Sequence, residues 1–223
     1  MSQTLAALAA ALPLASGWSV HSLWMRRRIE SARRDPLSGL WARDAFEEQA
    51  TRLLARHRNV AMILLDLDGF KAVNDSFGHA AGDAVIRATG ATFADALSSP
   101  RRSVAGRIGG DEFAAAVALP DPGALPWLLG GLLGEITAPL RHAGRDLTVG
   151  ASIGAVLSPG SLGAKGRDYS VLLRRADEEM YRVKKAGGGC SVASDRATPL
   201  GMGTVNGRRA GRRGTASGTG ATA

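Results

Sequence analysis

Residues 103–119 read SVAGRIGGDEFAAAVAL, which is two short apolar runs on either side of a turn with two glycines and two acids. Each apolar run, 103–108 and 113–119, has the length of a strand. Gly109 and Gly110 between them favour a tight connection. The stretch therefore predicts a β-hairpin that carries two carboxylates at its tip.

A second decisive stretch lies upstream, where the continuous apolar run 60–65 ends at Asp66 and Asp68. This pattern is typical of a buried central strand, and alternate residues of a strand share a face. Two like charges on a buried face are costly unless a cation lies beside them. A hard divalent ion, which binds oxygen ligands such as these carboxylates, would neutralise them. A structural alternative, in which the acids pair with Lys71 or Arg107, stays open on these residues alone.

Helical patterns surround the hairpin and the central strand. Helices are predicted over 42–57, 82–97, 125–136 and 169–186, and a further strand over 147–157. Helices and strands mixed in this order around a hairpin predict an α+β fold with a central, largely antiparallel sheet flanked by helices.

The composition of the 223-residue chain suits one ordinary domain with flanking segments. The net charge of +8 is spread over several segments and forms no single patch, which argues against a nucleic-acid partner. Cys190 is the single cysteine, so an intramolecular disulfide is excluded.

The run 4–25 contains no Asp, Glu, Lys or Arg, and Arg26, Arg27 and Arg28 follow it at once. About 20 apolar residues can span a bilayer, and the basic flank places the C-terminal side in the cytoplasm. We therefore expect one transmembrane helix, the cell membrane as a partner, and a single-pass inner-membrane localisation with the folded domain in the cytoplasm. A signal peptide, a mistranslated start and a buried helix remain alternatives.

These observations divide the chain into four segments. We expect a transmembrane anchor with its basic flank over 1–28, a short helical connector over 29–34, a folded domain over 35–193, and a tail rich in Gly, Ala, Thr and Arg over 194–223. The tail is expected to be disordered, because it has almost no large apolar side chains to bury.

Five stretches together resemble one family. They are 35–40 (DPLSGL), 66–83 (DLDGFKAVNDSFGHAAGD), 107–113 (RIGGDEF), 152–154 (SIG) and 176–181 (ADEEMY). In order and spacing they resemble the GGDEF-domain diguanylate cyclases. The resemblance implies a palm-like fold of the nucleotidyl-cyclase type. It also implies an enzyme that joins two GTP molecules into cyclic di-GMP, releases pyrophosphate, and acts as a homodimer with two Mg²⁺ or Mn²⁺ ions per active site.

The same resemblance assigns roles to individual residues. The implied metal ligands are Asp66, Leu67 through its backbone carbonyl, and Asp111. The implied catalytic residues are Asp111 and Glu112. The implied substrate-binding residues are Lys71, Asn74, His79, Asp83, Gly109, Gly110 and Lys184. For His79 a packing role is an equal alternative, and for Asp68 and Glu112 a supporting role behind the ligands is an equal alternative.

The chain departs from the family pattern at three places. Ala42 replaces the usual Asn after the opening motif, Gly188 replaces an Arg that contacts phosphate, and the Arg-x-x-Asp of the inhibitory site falls on Pro100 and Ser103. The last change disfavours a cyclic di-GMP receptor acting through that site. The first two keep open a second hypothesis, a catalytically weak GGDEF domain that acts as a GTP-binding or protein-interaction module.

Overall fold

The computed structural model describes residues 18, 21–22, 24–25, 28, 32–99, 101–158 and 168–193. The strands are β1 (Trp41–Ala42), β2 (Val60–Asp68), β3 (Ser103–Arg107), β4 (Glu112–Ala118), β5 (Leu140–His142), β6 (Arg145–Leu147), β7 (Gly150–Ser158) and β8 (Gly189–Val192). The helices are α1 (Arg43–Arg56), α2 (Phe70–Phe77), α3 (His79–Ala96), α4 (Leu125–Thr137) and α5 (Tyr169–Lys185), with a short 3₁₀ turn at Pro122–Ala124.

Six strands form the central sheet in the order β1-β3-β4-β2-β7-β8, while β5 and β6 pair as a separate hairpin. Each of the four inner strands is antiparallel to its inner neighbours, and only the outer pairs β1–β3 and β7–β8 are parallel. The prediction of an α+β fold with a central, largely antiparallel sheet is confirmed.

Alternation along β2 builds a core on each face of the sheet. Ile63 and Leu65 belong to the cluster that includes Phe93 of α3, whereas Met62 and Leu64 belong to the cluster that includes Met180 of α5. Asp66 and Asp68 continue the even-numbered series. They therefore face the layer that contains α5, and this register decides which helix meets the acids.

The predicted hairpin forms as β3 and β4, with Arg107 opposite Phe113 across the turn. Two predictions needed revision. The helix expected over 82–97 begins earlier, at His79, and α2 precedes it. Gly69 and Gly78 adopt positive φ at the start and the end of α2, which lets the chain turn sharply after β2. The strand expected over 147–157 is divided into β6 and β7.

The expectation of a membrane-spanning helix is wrong, because no helix among the described residues is long and apolar enough to cross a membrane. Most of the run 4–25 lies outside those residues. Its sequence includes Pro13, Gly17 and His21, which weaken a continuous apolar helix. The membrane partner and the inner-membrane localisation were inferred from that helix alone, so both are corrected with it. The predicted tail over 194–223 also lies outside the described residues.

Candidate active site

The site is built around Asp66 near the C-terminal end of β2. Asp66 lies directly opposite Glu112 of β4 on one side and Ser152 of β7 on the other. Its residue surface is 8% exposed, so its carboxylate is largely shielded from water. Residues opposite one another in neighbouring strands share a face, and this register places two acids and a hydroxyl side by side.

Lys184 of α5 reaches this row of side chains from the helix layer. Its Nζ lies 2.5 Å from Asp66 Oδ1 and 3.6 Å from Asp68 Oδ1. The Asp66 side chain is 11% exposed and that of Lys184 is 43% exposed, so the ion pair is partly shielded from water. The structure thus brings a predicted metal ligand and a predicted phosphate-binding cation into direct contact.

Asp68 is held by Ser152, whose hydroxyl donates a hydrogen bond to Asp68 Oδ2 at 2.7 Å. Ser152 is completely buried. The other oxygen, Asp68 Oδ1, is also buried and has no hydrogen-bond partner in the structure. The sequence alone predicts no role for Ser152, although it lies in the SIG motif, because a serine within an apolar strand does not reveal its cross-strand partner.

The pKa shifts in this group follow from its burial and its charges. Burial raises the pKa of Asp66, and the negative charges of Asp111 and Asp68 act in the same direction, while Lys184 opposes them. Burial alone would lower the pKa of Lys184, but the hydrogen bond to Asp66 and the three nearby carboxylates outweigh it and raise that pKa. The site therefore contains more negative charge than its one lysine neutralises, which favours binding of a further cation.

The hairpin turn is joined to the end of β2 by one backbone hydrogen bond and is held in shape by two bonds within the hairpin. Leu67 N–H donates to the carbonyl of Asp111 at 3.1 Å, and Ile108 N–H donates to the carbonyl of Glu112 at 2.9 Å. The Arg107 guanidinium donates to the carbonyl of Gly110 at 2.7 Å. These contacts hold Asp111 near Asp66.

The two glycines of the turn differ in their surroundings. A Cβ on Gly109 would lie 2.6 Å from Glu112 Oε2, whereas a Cβ on Gly110 would meet nothing within 4 Å. A larger residue at 109 would therefore force the Glu112 side chain to move. Gly110 is exposed and leaves the backbone open to a ligand.

Arg107 also joins the turn to the opening motif, since its Nη1 lies 3.1 Å from Asp35 Oδ1 and both side chains are less than one fifth exposed. Burial would raise the pKa of Asp35, but hydrogen bonds from Ser38 and Arg107 outweigh it and lower that pKa. A lowered pKa means that the ionised form stabilises the fold. This contribution is present above the unfolded pKa and is lost as the pH falls through the folded value.

We therefore expect Asp35→Asn to lower the free energy of unfolding at pH 7 by about 1–3 kcal/mol, the cost of losing hydrogen bonds to a charged group. Urea unfolding across a pH series measures this. The difference from wild type should shrink once the pH falls below 3.8, the ordinary pKa of an aspartate side chain. An equal difference at pH 7 and at the acid end of the series would contradict the assignment.

The predicted guanine-binding residues lie on the helix pair that follows β2. Asn74 of α2 packs against α3, because a Cβ on Gly82 would lie 2.0 Å from Asn74 Oδ1. Asp83 is the next residue of α3 and pairs with Arg87 at 3.7 Å. His79 is exposed at the start of α3. Asn74 and Asp83 thus lie on adjacent helices, and His79 lies at the exposed start of the second helix.

Lys71 is not brought to the carboxylates in this structure. Its Nζ pairs with Asp75 Oδ2 at 2.7 Å, one helical turn away, and its side chain is 83% exposed. Lys185, the second cation at the end of α5, lies over the ring of Tyr181 at 4.6 Å. Lys184 is therefore the predicted phosphate-binding cation that the structure places among the acids.

Within the described ranges, no group of three or more His, Cys, Asp and Glu side chains is arranged to hold a metal ion. The predicted ligand set contains two carboxylates, Asp66 and Asp111, and one backbone carbonyl. A Mg²⁺ ion commonly binds one or two carboxylates and completes its shell with water and substrate phosphates. The chemistry of this donor set, with Asp68 Oδ1 beside it accepting no hydrogen bond, fits such an ion.

Comparison with known proteins identifies the class to which this fold and site belong. Residues 32–190 match the family model described as diguanylate cyclase, GGDEF domain. The chain belongs to the GGDEF family.

The relatives range from an uncharacterised protein to named enzymes. An uncharacterised 19.3 kDa protein of Streptomyces ambofaciens is 44% identical over 145 residues, which cover 64% of this chain and 74% of that protein. The bifunctional diguanylate cyclase/cyclic di-GMP phosphodiesterase MucR of Pseudomonas aeruginosa is 32% identical over 168 residues, with 73% of this chain and 23% of MucR covered. The chain thus spans less than a quarter of that multifunctional relative.

A solved structure shows the same fold. The coiled coil and GGDEF domain of DgcB from Caulobacter crescentus, in complex with c-di-GMP, is 25% identical with a TM-score of 0.69, and the match covers 84% of this chain and 98% of that one. The palm-like GGDEF fold that the resemblance implied is confirmed.

Proposed function

We propose that the protein is a diguanylate cyclase, which condenses two GTP molecules into cyclic di-GMP and releases two pyrophosphates. The proposal rests on one observation. Asp66, Asp111 and Lys184 lie close together, and the backbone of the neighbouring Gly110 is accessible to a ligand. A row of acids with one lysine suits the binding of metal-complexed phosphates. Membership of the GGDEF family supports the same reaction.

Asp66, Asp111 and the backbone carbonyl of Leu67 would hold the Mg²⁺ or Mn²⁺ ions, two per active site. When bound, such ions activate the attacking oxygen and stabilise the leaving one. Asp66 is fixed by its position between β4 and β7, and Asp111 is fixed by the backbone bond to Leu67. The ligands are thus positioned before substrate arrives, which reduces the reorganisation that binding costs.

The remaining side chains bind and orient GTP. Lys184 would neutralise phosphate oxygens, and Asn74 and Asp83 would hydrogen-bond the guanine edge. Asp111 is the carboxylate proposed to take the proton of the 3′-hydroxyl as that oxygen attacks the α-phosphorus of the second GTP. Glu112, which packs against Gly109, would keep the turn in shape for this step.

The reaction requires two domains, because each binds one GTP and the attacking hydroxyl belongs to the partner's nucleotide. A two-fold homodimer satisfies this requirement with one interface.

At saturating GTP and magnesium, the rate per mole of enzyme should therefore rise with enzyme concentration and then level off. A rate per mole that stays constant over the whole dilution series, down to a measured monomer, would contradict the shared site.

A specific observation favours a second candidate, the catalytically weak GTP-binding module. Gly188, at the position of the family's phosphate-contacting Arg, has φ +97°, and a Cβ there would lie 3.2 Å from Asp68 Oδ2. The backbone conformation disfavours any other residue, and Lys185 is directed to Tyr181. Under this candidate GTP would bind with the expected metal dependence, but purified protein would form no cyclic di-GMP.

The structure also bears on product inhibition. Ser103, at the position of the inhibitory-site Asp, is buried, and its hydroxyl oxygen lies 2.8 Å from the carbonyl oxygens of both Leu97 and Ser99, which share its single proton. The Ser103 hydroxyl is therefore engaged in holding the loop before β3, and Pro100 lies outside the described residues. Neither residue offers the charge that the inhibitory site uses.

We accordingly expect little or no inhibition by product. Progress curves recorded with added cyclic di-GMP, well above the enzyme concentration, should overlay those recorded without it. Strong non-competitive inhibition that disappears in the Arg101→Ala, Arg102→Ala double variant would show instead that these two exposed arginines rebuild the site in a shifted register.

A further inference from the structure

Lys184 makes two contacts that belong to different stages of the proposed reaction. In the structure its ammonium group lies against Asp66 and Asp68. In the proposed reaction it neutralises a phosphate, while a divalent ion takes the oxygens of Asp66. One side chain cannot do both at once, because an ammonium group at 2.5 Å from Asp66 Oδ1 occupies the position that a cation on that oxygen needs.

We propose that Lys184 acts as an internal counter-ion that competes with the divalent ion for Asp66 and Asp68. Binding of a metal ion displaces the ammonium group of Lys184 from these carboxylates. The displaced ammonium group then binds the phosphates of GTP. This inference rests on the proposed function of the site. It makes metal binding weak without nucleotide and couples the binding of the metal to the binding of GTP.

Four features of the structure support this competition. The Asp66 side chain is only 11% exposed, so an ionised carboxylate there needs a nearby cation. Asp68 Oδ1 is buried without a hydrogen-bond partner, 3.6 Å from the ammonium nitrogen. The Lys184 side chain is 43% exposed, so it has an open path away from the acids. Ser152 holds the other oxygen of Asp68, which keeps Oδ1 directed towards the cation.

The position of Lys184 in α5 allows the side chain to move without unfolding the helix. It lies in the last turn, next to the final residue Lys185, and three consecutive glycines with positive φ follow at 187–189. The backbone path is fixed by bonds such as that from Gly188 N–H to the carbonyl of Val183 at 3.1 Å. Rotation about the side-chain bonds of Lys184 is thus sufficient for the transfer from carboxylate to phosphate.

The test is the affinity of the full-length chain for Mn²⁺ without nucleotide, measured by the electron paramagnetic resonance signal of free Mn²⁺. Lys184→Met removes the charge and keeps a long side chain. We expect it to bind Mn²⁺ about tenfold or more tightly than wild type, since an adjacent opposite charge shifts ionic equilibria by about 1–3 pKa units. Lys185→Met is the matched control, because that lysine lies on Tyr181, and its affinity should equal that of wild type.

Lys184→Met that binds Mn²⁺ no more tightly than wild type would overturn the proposal.

A second measurement uses the wild-type chain and remains decisive if that variant does not fold. The sequence contains four lysines, Lys71, Lys165, Lys184 and Lys185, so ¹³C-dimethylated lysines give few signals, and Lys184→Arg assigns the one of interest. Saturating Mg²⁺ without nucleotide should shift the Lys184 signal and leave that of Lys71 in place. An unmoved Lys184 signal would contradict displacement.

Neither measurement depends on turnover. If Lys184 competes with the divalent ion but the protein forms no cyclic di-GMP, the proposed function is refuted and the role of Lys184 stands. Cyclic di-GMP formation without competition would refute only the role of Lys184 as an internal counter-ion.

Discussion

Asp66→Asn and Asp111→Asn are each expected to lower the rate of cyclic di-GMP formation by about 100-fold or more, because each replaces a carboxylate proposed to bind the metal ion by a neutral amide of the same size. Folding should be retained. Burial raises the pKa of Asp66, so the ionised carboxylate is a cost to the fold that Asn removes. Initial rates at saturating GTP and magnesium, with urea unfolding of the same preparations, measure both quantities.

Asp95→Asn is the matched control, since it makes the same chemical change at an exposed position near the end of α3. It should leave the rate and the unfolding free energy within error of wild type. If Asp66→Asn and Asp111→Asn both formed product at rates close to that of Asp95→Asn, the assignment of these two carboxylates as metal ligands would be refuted.

Gly154→Ala is expected to lower the free energy of unfolding by about 3 kcal/mol, the upper part of the usual range for overpacking a core. A Cβ on Gly154 of β7 would lie 2.1 Å from the backbone nitrogen of Met180 and 2.4 Å from the carbonyl oxygen of Ala176. Both atoms belong to the backbone of α5, so a side-chain rotation cannot relieve the clash. The helix must move away from the sheet, and Lys184 moves with it.

The control for this substitution is Gly130→Ala on α4, where a Cβ would meet nothing within 4 Å. Alanine is preferred over glycine within a helix by about 1 kcal/mol, so Gly130→Ala should leave the fold unchanged or slightly more stable. Urea or thermal unfolding of the two variants tests the contrast. Equal unfolding free energies for Gly154→Ala and wild type would show that α5 does not depend on this close contact.

The parts of the fold that follow from local pattern could be predicted from sequence. The hairpin around Gly109 and Gly110 and the buried strand before Asp66 were both visible, because each combines an apolar run with a distinct boundary. The pairing of Lys71 with Asp75 also follows from a local rule, since residues four apart on a helix are neighbours. The sequence could therefore predict that Lys71 pairs with Asp75 and does not contact Asp66 or Asp68.

Contacts between distant residues could not be predicted in this way. Lys184 and Asp66 are 118 positions apart, and only the resemblance to a family suggested that both belong to one site. The hydrogen bond from Ser152 to Asp68 depends on the register of β7 against β2, which neither strand specifies alone. The close approach of α5 to Gly154 likewise depends on how a helix packs across the sheet.

The most direct test of the central claim is to incubate the purified full-length protein with GTP and Mg²⁺ and to resolve the products by chromatography with mass detection. The proposed site predicts cyclic di-GMP and pyrophosphate in a ratio of one to two, formed only when the metal is present and formed about 100-fold or more slowly by the Asp111→Asn preparation. GTP that remains intact after prolonged incubation at high enzyme concentration, although the protein is folded and binds GTP, would contradict the assignment as a cyclase.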